Sequence, residues 1–268
     1  MSRRPAARIL ATDLDGTFLG GDEAARRRLY RHITDHRDAL TLIFVTGRDL
    51  PFVQRIIDEG QVPRPEYVIG DVGTSIVDGE TFTPIEAVQR WVDETWGAAS
   101  DRVKAMLEGT PGLTLQPTPF THRVSYYYDP QTLPEDVPER VRQAGFDCIL
   151  SADVYLDVLP KGVHKGSALS RLLDVLGLPR SRTLVAGDTL NDLALFQTGL
   201  DGVAVGGSEP RLLEAIRDLP QTWHAPGVGC AGIWQALERL GHFQEINTHR
   251  SAHTGEGGLA VAEGRSNA

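Results

Sequence analysis

Cysteine, long apolar runs and surplus positive charge are what this sequence has least of. Only Cys148 and Cys230 carry thiols among 268 residues. Their spacing suits no zinc motif, and two cysteines cannot staple a chain of this length, so neither a zinc module nor a disulfide scaffold is expected. Reduced thiols fit a cytoplasmic setting. No apolar stretch approaches the roughly 18 residues that would suggest a bilayer span, so no membrane partner is expected. Ser2-Arg3-Arg4 hints at a twin-arginine leader, but Asp13 arrives before any apolar segment of useful length. No cleaved signal is therefore expected. The net charge is −9, which gives no broad electrostatic reason to hold nucleic acid. Acidity does not exclude an anionic substrate, because a metal ion and a few placed cations invert a local field.

What is present is alternation. Residues 8–12 and 40–45 read as buried strands, 67–69 as a third, and 23–36 and 49–58 as helices, the second with Pro51 in its first turn. Apolar runs alternating with helices predict a doubly wound, Rossmann-like α/β core with a parallel sheet. From residue 84 the pattern changes. One long amphipathic helix is expected over 84–107, then strands at 113–116 and 122–128. A helix at 135–144 and strands at 146–150 and 154–159 follow. Short links between strands, with helices gathered to one side, predict an inserted antiparallel α+β domain. After Lys165 the first pattern returns, with helices at 167–176, 192–198 and 210–218, strands at 183–186 and 202–205, and a last short helix within 229–241. The expected division is a discontinuous core at 1–84 and 160–249, an inserted domain at 85–159, and a disordered tail at 250–268.

Ligands of such sheets bind at the carboxyl ends of the strands. Asp13 and Asp15 follow the first strand, Thr46, Gly47 and Arg48 the second. Lys165 opens a later helix, and Asp188, Asn191 and Asp192 follow a later strand. Clustered carboxylates must repel unless a cation joins them, and hard oxygen donors beside a phosphate suit Mg2+. Asp13 and Asp188 would hold the ion by their side chains and Asp15 by its backbone carbonyl, with Asn191 and Asp192 just outside. A phosphate would take its remaining hydrogen bonds from the Thr46 hydroxyl, the Gly47 amide and Lys165. Positioning and charge neutralisation are most of what phosphoryl transfer needs. No cysteine or serine triad stands nearby, so Asp13 is the expected nucleophile and Asp15 the acid and base. A neighbouring carboxylate raises the Asp15 pKa and a metal lowers it; the sequence leaves the balance open.

The motifs Asp13-Leu14-Asp15-Gly16-Thr17, Thr46-Gly47-Arg48, Lys165-Gly166 and Gly187-Asp188-x-x-Asn191-Asp192 resemble the four motifs of haloacid dehalogenase superfamily phosphatases. The likeness runs over about residues 8–245, and the insert resembles that superfamily's larger α/β cap. It implies a Mg2+-dependent aspartyl-phosphate mechanism. Asp13 is then the nucleophile, Asp15 the acid/base, Thr46 and Lys165 bind phosphate, and Asp188 and Asp192 are the metal-side acids. A narrower likeness is carried by FVTGRDLPFVQRII, YVIGDVGTSI, RVSYYYDP, YLDVLPKGVHKG and CAGIWQALERLGHF, which are similar to stretches of bacterial and plant sucrose-phosphate phosphatases. Two positions depart from that pattern. Ser75 stands where those enzymes usually carry Glu, and Ala152-Asp153-Val154-Tyr155 stands where a lysine and an acid are expected. The implied substrate is sucrose 6-phosphate or a related glycoside phosphate, with a sugar-phosphate synthase as a partner by analogy alone. A hexose phosphomutase on the same core, and a phospho-accepting or sugar-phosphate-sensing module without turnover, are the alternatives.

Substrate choice is expected to fall to the cap and to Arg48. In residues 123–128, Val124, Tyr126 and Tyr128 share one face, and Arg123, Ser125 and Tyr127 the other; Tyr155 and Asp157 also share a face. Alternation alone allows the second set to face either a sugar or solvent. His164, beside Lys165, reads as an ordinary loop histidine.

Overall fold

A computed structural model of the chain describes residues 8–118 and 120–243. The 250–268 tail and the Ser2-Arg3-Arg4 segment lie outside the described residues. The core holds strands β1 (Arg8–Thr12), β2 (Leu40–Val45), β3 (Tyr67–Gly70) and β4 (Ser75–Asp78). The insert contributes β5 (Leu113–Leu115), β6 (Val124–Tyr128), β7 (Phe146–Ser151) and β8 (Tyr155–Pro160), and the core resumes with β9 (Thr183–Gly187), β10 (Asp201–Gly206) and β11 (Thr222–Val228). The helices are α1 (Glu23–Asp35), α2 (Leu50–Asp58), α3 (Glu86–Trp96), α4 (Ser100–Leu107), α5 (Val137–Gln143), α6 (Lys165–Leu176), α7 (Leu193–Phe196), α8 (Pro210–Ala215) and α9 (Cys230–Arg239).

The core strands form one sheet in the order β11-β10-β9-β1-β2-β3-β4. Every pairing is parallel except β3 with β4. β1 is buried at all of its positions, and its side chains alternate between two apolar layers. Leu10 joins Leu29, Val53 and Ile233 on the α1, α2 and α9 side. Ile9 and Ala11 join Leu169, Leu195 and Leu212 on the α6, α7 and α8 side. Two covered faces make the sheet doubly wound. The chain leaves β1 toward β2 on one side, while β9 pairs with its other side, so the strand order reverses at β1. That crevice, at the carboxyl end of β1, is where the fold opens to a ligand.

Two strands escape the periodicity signals. β4 is four residues long and β11 contains Pro226 and Gly227. Both are sheet edges, where a proline costs no ladder hydrogen bond. The single helix expected over 84–107 is two. Gly97 ends α3 at φ 56° and ψ −131°, a conformation that L side chains rarely adopt. Partners change just before the break. Val88 and Val92 pack with Ile76, Val163 and Leu172 of the core. Trp96, Val103 and Leu107 pack with Val124, Phe146 and Leu156 of the insert. The apolar contacts therefore pass from core to insert within α3.

The insert is a four-stranded antiparallel sheet, β5-β6-β8-β7. α4 and α5 cover one of its faces through Val103, Val137 and Val141. Its other face is turned to the carboxyl end of the core sheet. No helix among the described residues is long and apolar enough to cross a membrane.

Candidate active site

Asp13 stays on the sheet by its backbone. Its N–H donates to the Ala186 carbonyl at 2.9 Å, which carries the β1–β9 ladder one residue past the strand. A tight turn at 14–18 follows, pinned by the buried Leu14 and Phe18. Gly16 sits in this turn at φ 75°, and a Cβ there would lie 2.0 Å from Asp188 Oδ2. Glycine is thus needed twice, for the backbone angle and for the close approach. Thr17 completes the contact by donating its hydroxyl to Asp188 Oδ1 at 2.8 Å.

Lys165 opens α6. His164 caps that helix: its ring accepts from the Ser167 N–H, and the Ser167 hydroxyl oxygen accepts from the His164 N–H. The cap aims Lys165 under the crevice, where it is fully buried. Its ammonium donates to Asp13 Oδ1, Asn191 Oδ1 and Asp192 Oδ1, each at 2.7 Å. Three donors meet three acceptors, so the lysine is charged and its hydrogen-bonding capacity is full. Burial opposes that charge, but Asp13 and Asp192 outweigh it and raise the Lys165 pKa. The second oxygen of Asp192 accepts the N–H groups of Asp188 at 3.0 Å and Thr189 at 3.2 Å, fixing the loop after β9.

Oxygens of Asp13, Asp188 and Asp192 lie within 4.8 Å of one another. One ammonium cannot balance three carboxylates. Burial raises the Asp13 pKa well above the ordinary value; Lys165 opposes this, while Asp192 and Asp188 add to it. Burial, and then Asp192, push Asp188 up to about 7. Hard oxygen donors carrying uncompensated negative charge fit a divalent cation.

The Asp15 carboxylate stands outside this cluster. Arg48 grips it fork to fork, Nε to Oδ2 at 2.7 Å and Nη2 to Oδ1 at 2.8 Å. Thr46 is fully buried, and its hydroxyl oxygen accepts the Arg48 N–H at 3.1 Å. Gly47 lines a cavity of about 680 Å³ together with Asp13, Asp15 and Arg48. The cap contributes Arg123, Tyr127, Tyr155 and Asp157 to the same cavity, and the Asp188 loop contributes Asn191. The polar and aromatic face of the cap sheet is therefore turned inward. Ser125 is a correction: it is not at the cavity surface but behind it, 1% exposed, donating its hydroxyl to Asp157 Oδ1.

Some cavity residues were not foreseen. Phe52 and Arg55 of α2 also line it, with the Arg48 guanidinium 4.5 Å and the Arg55 guanidinium 5.2 Å from the Phe52 ring centre. The available signal was the spacing of Phe52 and Arg55, three apart on one face of the helix that opens just after Arg48. Ser75 donates its hydroxyl to Asp71 at 2.7 Å. Ala152 and Asp153 have positive φ, 53° and 49°, at the tip of the β7–β8 hairpin. Ala152 N–H donates to Glu209 Oε1 at 3.2 Å, while Glu209 Oε2 accepts from Leu190 N–H at 2.9 Å. Glu209 thus ties the cap tip to the loop that carries Asp188.

The family model described as sucrose-6F-phosphate phosphohydrolase matches residues 6–244. A glucosylglycerol-phosphate synthase of Pseudomonas anguilliseptica is 42% identical over 234 residues, which is 87% of this chain and 31% of that protein. A mannosylfructose-phosphate phosphatase of Agrobacterium fabrum is 29% identical over 87% of this chain and 97% of its own length. The crystal structure of the sucrose-phosphatase of Synechocystis sp. PCC6803, in complex with sucrose and phosphate, superposes with a TM-score of 0.79 at 27% identity, covering 87% of this chain and 98% of that one. The chain belongs to the sucrose-6F-phosphate phosphohydrolase family and is a phosphoric monoester hydrolase with a haloacid dehalogenase-like fold.

Proposed function

We propose that this chain is a Mg2+-dependent phosphatase of glycoside phosphates that works through a phosphoryl group carried on Asp13. One observation carries the reading: the buried Lys165 ammonium joins Asp13 and Asp192, with Asp188 in the same carboxylate cluster, beneath a cavity shared by core and cap. Asp13 and Asp188, with the Asp15 carbonyl, would hold Mg2+, and Asn191 and Asp192 would support them. When bound, the ion offsets the charge of the carboxylates and of the incoming phosphate.

Lys165 occupies Asp13 Oδ1, which leaves Oδ2 to attack phosphorus. The bond from phosphorus to the sugar oxygen breaks as the new bond forms, and Asp15 gives its proton to that oxygen. Asp15 then takes a proton from water, the water oxygen attacks phosphorus, and free phosphate leaves with the Asp13 carboxylate restored. Both Asp15 oxygens accept from Arg48, so the substrate has to displace one of those hydrogen bonds, and the freed oxygen takes up from solvent the proton that it passes to the leaving oxygen. Lys165 has no spare donor; its part is to keep charge under the phosphate and hold Asp13 in place. Thr46 and Gly47 form the loop on which the phosphate oxygens rest.

The sugar occupies the upper cavity. Tyr127 and Tyr155, 43% and 41% exposed, stand with ring centres 6.0 Å apart and offer apolar faces to a sugar ring. Arg48 and Asp157 supply polar partners there, with Arg123 bonded to Asp157. About 680 Å³ is ample for a two-unit glycoside. Sucrose 6-phosphate, mannosylfructose phosphate and glucosylglycerol phosphate share this chemistry, and a synthase that builds the phosphorylated glycoside would supply it. The free thiols of Cys148 and Cys230 favour the cytoplasm.

The test is phosphate release from these three esters with Mg2+. Asp13→Asn should lose about 10³-fold or more in kcat while keeping its fold. Retention of most activity would remove Asp13 from its role. An isomeric sugar phosphate as product, with little free phosphate, would point to a mutase instead.

A further inference from the structure

Arg123 links the cap to the phosphate loop. It precedes β6 and is 5% exposed. Its Nη1 donates to Asp157 Oδ1 of the cap at 2.9 Å. Its Nη2 donates to Asp71 Oδ1 of the core at 3.2 Å and to the Gly47 carbonyl at 3.0 Å. The Phe120 ring lies 3.6 Å from the guanidinium. Ser75 steadies Asp71 and Ser125 steadies Asp157. One cation is thus shared by a cap carboxylate and a core carboxylate.

The Gly47 contact matters most. The Gly47–Arg48 peptide is held at both ends, its carbonyl by Arg123 and its N–H by the Thr46 hydroxyl oxygen. A peptide unit is planar, so gripping both ends sets its tilt. That tilt orients the loop on which phosphate would rest. At the other end of the link, Asp157 faces the cavity. Its bonds to Arg123 and Ser125 both fall on Oδ1, which leaves Oδ2 for a ligand. That free oxygen, on a residue of the cavity wall, is an acceptor suited to a hydroxyl group.

We infer that Asp157 Oδ2 receives a hydroxyl of the leaving-group sugar, and that Arg123, bonded to the other oxygen of that carboxylate, couples the contact to the phosphate loop through the Gly47 carbonyl. Asp157 is then a specificity-determining residue. Arg123 is a positioning residue for the loop. This rests on reading the cavity as a glycoside-phosphate site.

The test compares a glycoside phosphate with 4-nitrophenyl phosphate, which has no sugar hydroxyl. Asp157→Asn keeps an oxygen for Arg123 and Ser125 but replaces the free acceptor. It should lower kcat/KM for the glycoside phosphate by about 10–100-fold and leave the aryl ester within about threefold. Arg123→Lys keeps the charge but not the fork, and should lower kcat on both esters by about tenfold. A third arm needs no variant: among glycoside phosphates each lacking one hydroxyl, one should lose about tenfold or more in kcat/KM with wild-type enzyme. Equal losses on both esters in Asp157→Asn, or no loss on either, would overturn the sugar contact, as would a deoxy series with no sensitive position; an undiminished kcat in Arg123→Lys would overturn the coupling. If the wild type cleaves the aryl ester but none of the glycoside phosphates, the substrate reading falls and takes this inference with it. If it cleaves the glycoside phosphates and the variants keep its selectivity, the inference alone falls.

Discussion

Replacing Asp188 by Asn should stabilise the metal-free protein while removing its turnover. Asp188 is part-buried, and burial followed by Asp192 lifts its pKa from 3.8 to about 7, against the Thr17 hydroxyl and Lys165. That is about three units, and at about 1.4 kcal/mol per unit the ionised form carries at most ~4 kcal/mol of strain. Residual solvent contact and relaxation of neighbours reduce this, so a gain of about 1–2 kcal/mol is expected. Because the folded pKa is the higher one, the stability tied to this group is fully present below 3.8 and lost as pH rises through about 7. Asn keeps an oxygen for Thr17, so the turn at Gly16 should survive. The assay is urea unfolding with chelator at about pH 8 and again at about pH 5. The variant should exceed the wild type at the higher pH, the gap should narrow at the lower one, and Mg2+ should raise the wild type alone. A variant less stable than wild type at the higher pH, or a gap that ignores pH, would refute the view that this acid cluster is strained until a cation fills it.

Three further outcomes follow from other contacts. Lys165→Met strips the counter-charge from two buried carboxylates and should cost about 3–5 kcal/mol in thermal unfolding; an unchanged midpoint would contradict the buried ion pair. Gly97→Ala forces an L side chain to φ 56° and should cost about 1 kcal/mol or more without touching turnover, read by urea unfolding. His32 and His242 face each other at 3.1 Å, and burial, with His36 and His32 respectively next, lowers their pKa values to about 4 and about 3. Both folded values lie below the ordinary 6.5, so their contribution is complete above 6.5 and fades as pH falls toward about 4. His242→Asn should flatten the acid limb of the stability profile, measured by unfolding across that range.

Much of the core was legible because its signals are local. The run Leu40–Val45 is apolar on both faces, as a central parallel strand must be. Asp49 accepts from the Phe52 N–H as a helix cap, with a proline just inside. β11 stayed hidden because Pro226 and Gly227 read as a loop, and only its place at the sheet edge makes them tolerable. The split at Gly97 was hidden because one apolar stripe serves two different cores, and periodicity does not say which partner a stripe meets. The acidic landmarks were readable as strand ends. The burial of Lys165 was not, since it depends on Asp13, Asn191 and Asp192 converging from far along the chain. The same holds for Arg123, whose acceptors at Gly47, Asp71 and Asp157 come from three separate elements. Ser125 was misjudged because strand alternation gives a face but not a depth; it points to the right face and stops behind Asp157.

The most direct test is to stop a turnover in acid within milliseconds of mixing enzyme, Mg2+ and a glycoside phosphate, digest the protein, and locate the phosphoryl group by mass spectrometry. A phosphorylated peptide containing Asp13, formed and lost at rates that account for phosphate release, is the predicted result. Full turnover with Asp13 unmodified throughout, or a phosphoryl group on another side chain, would contradict the account.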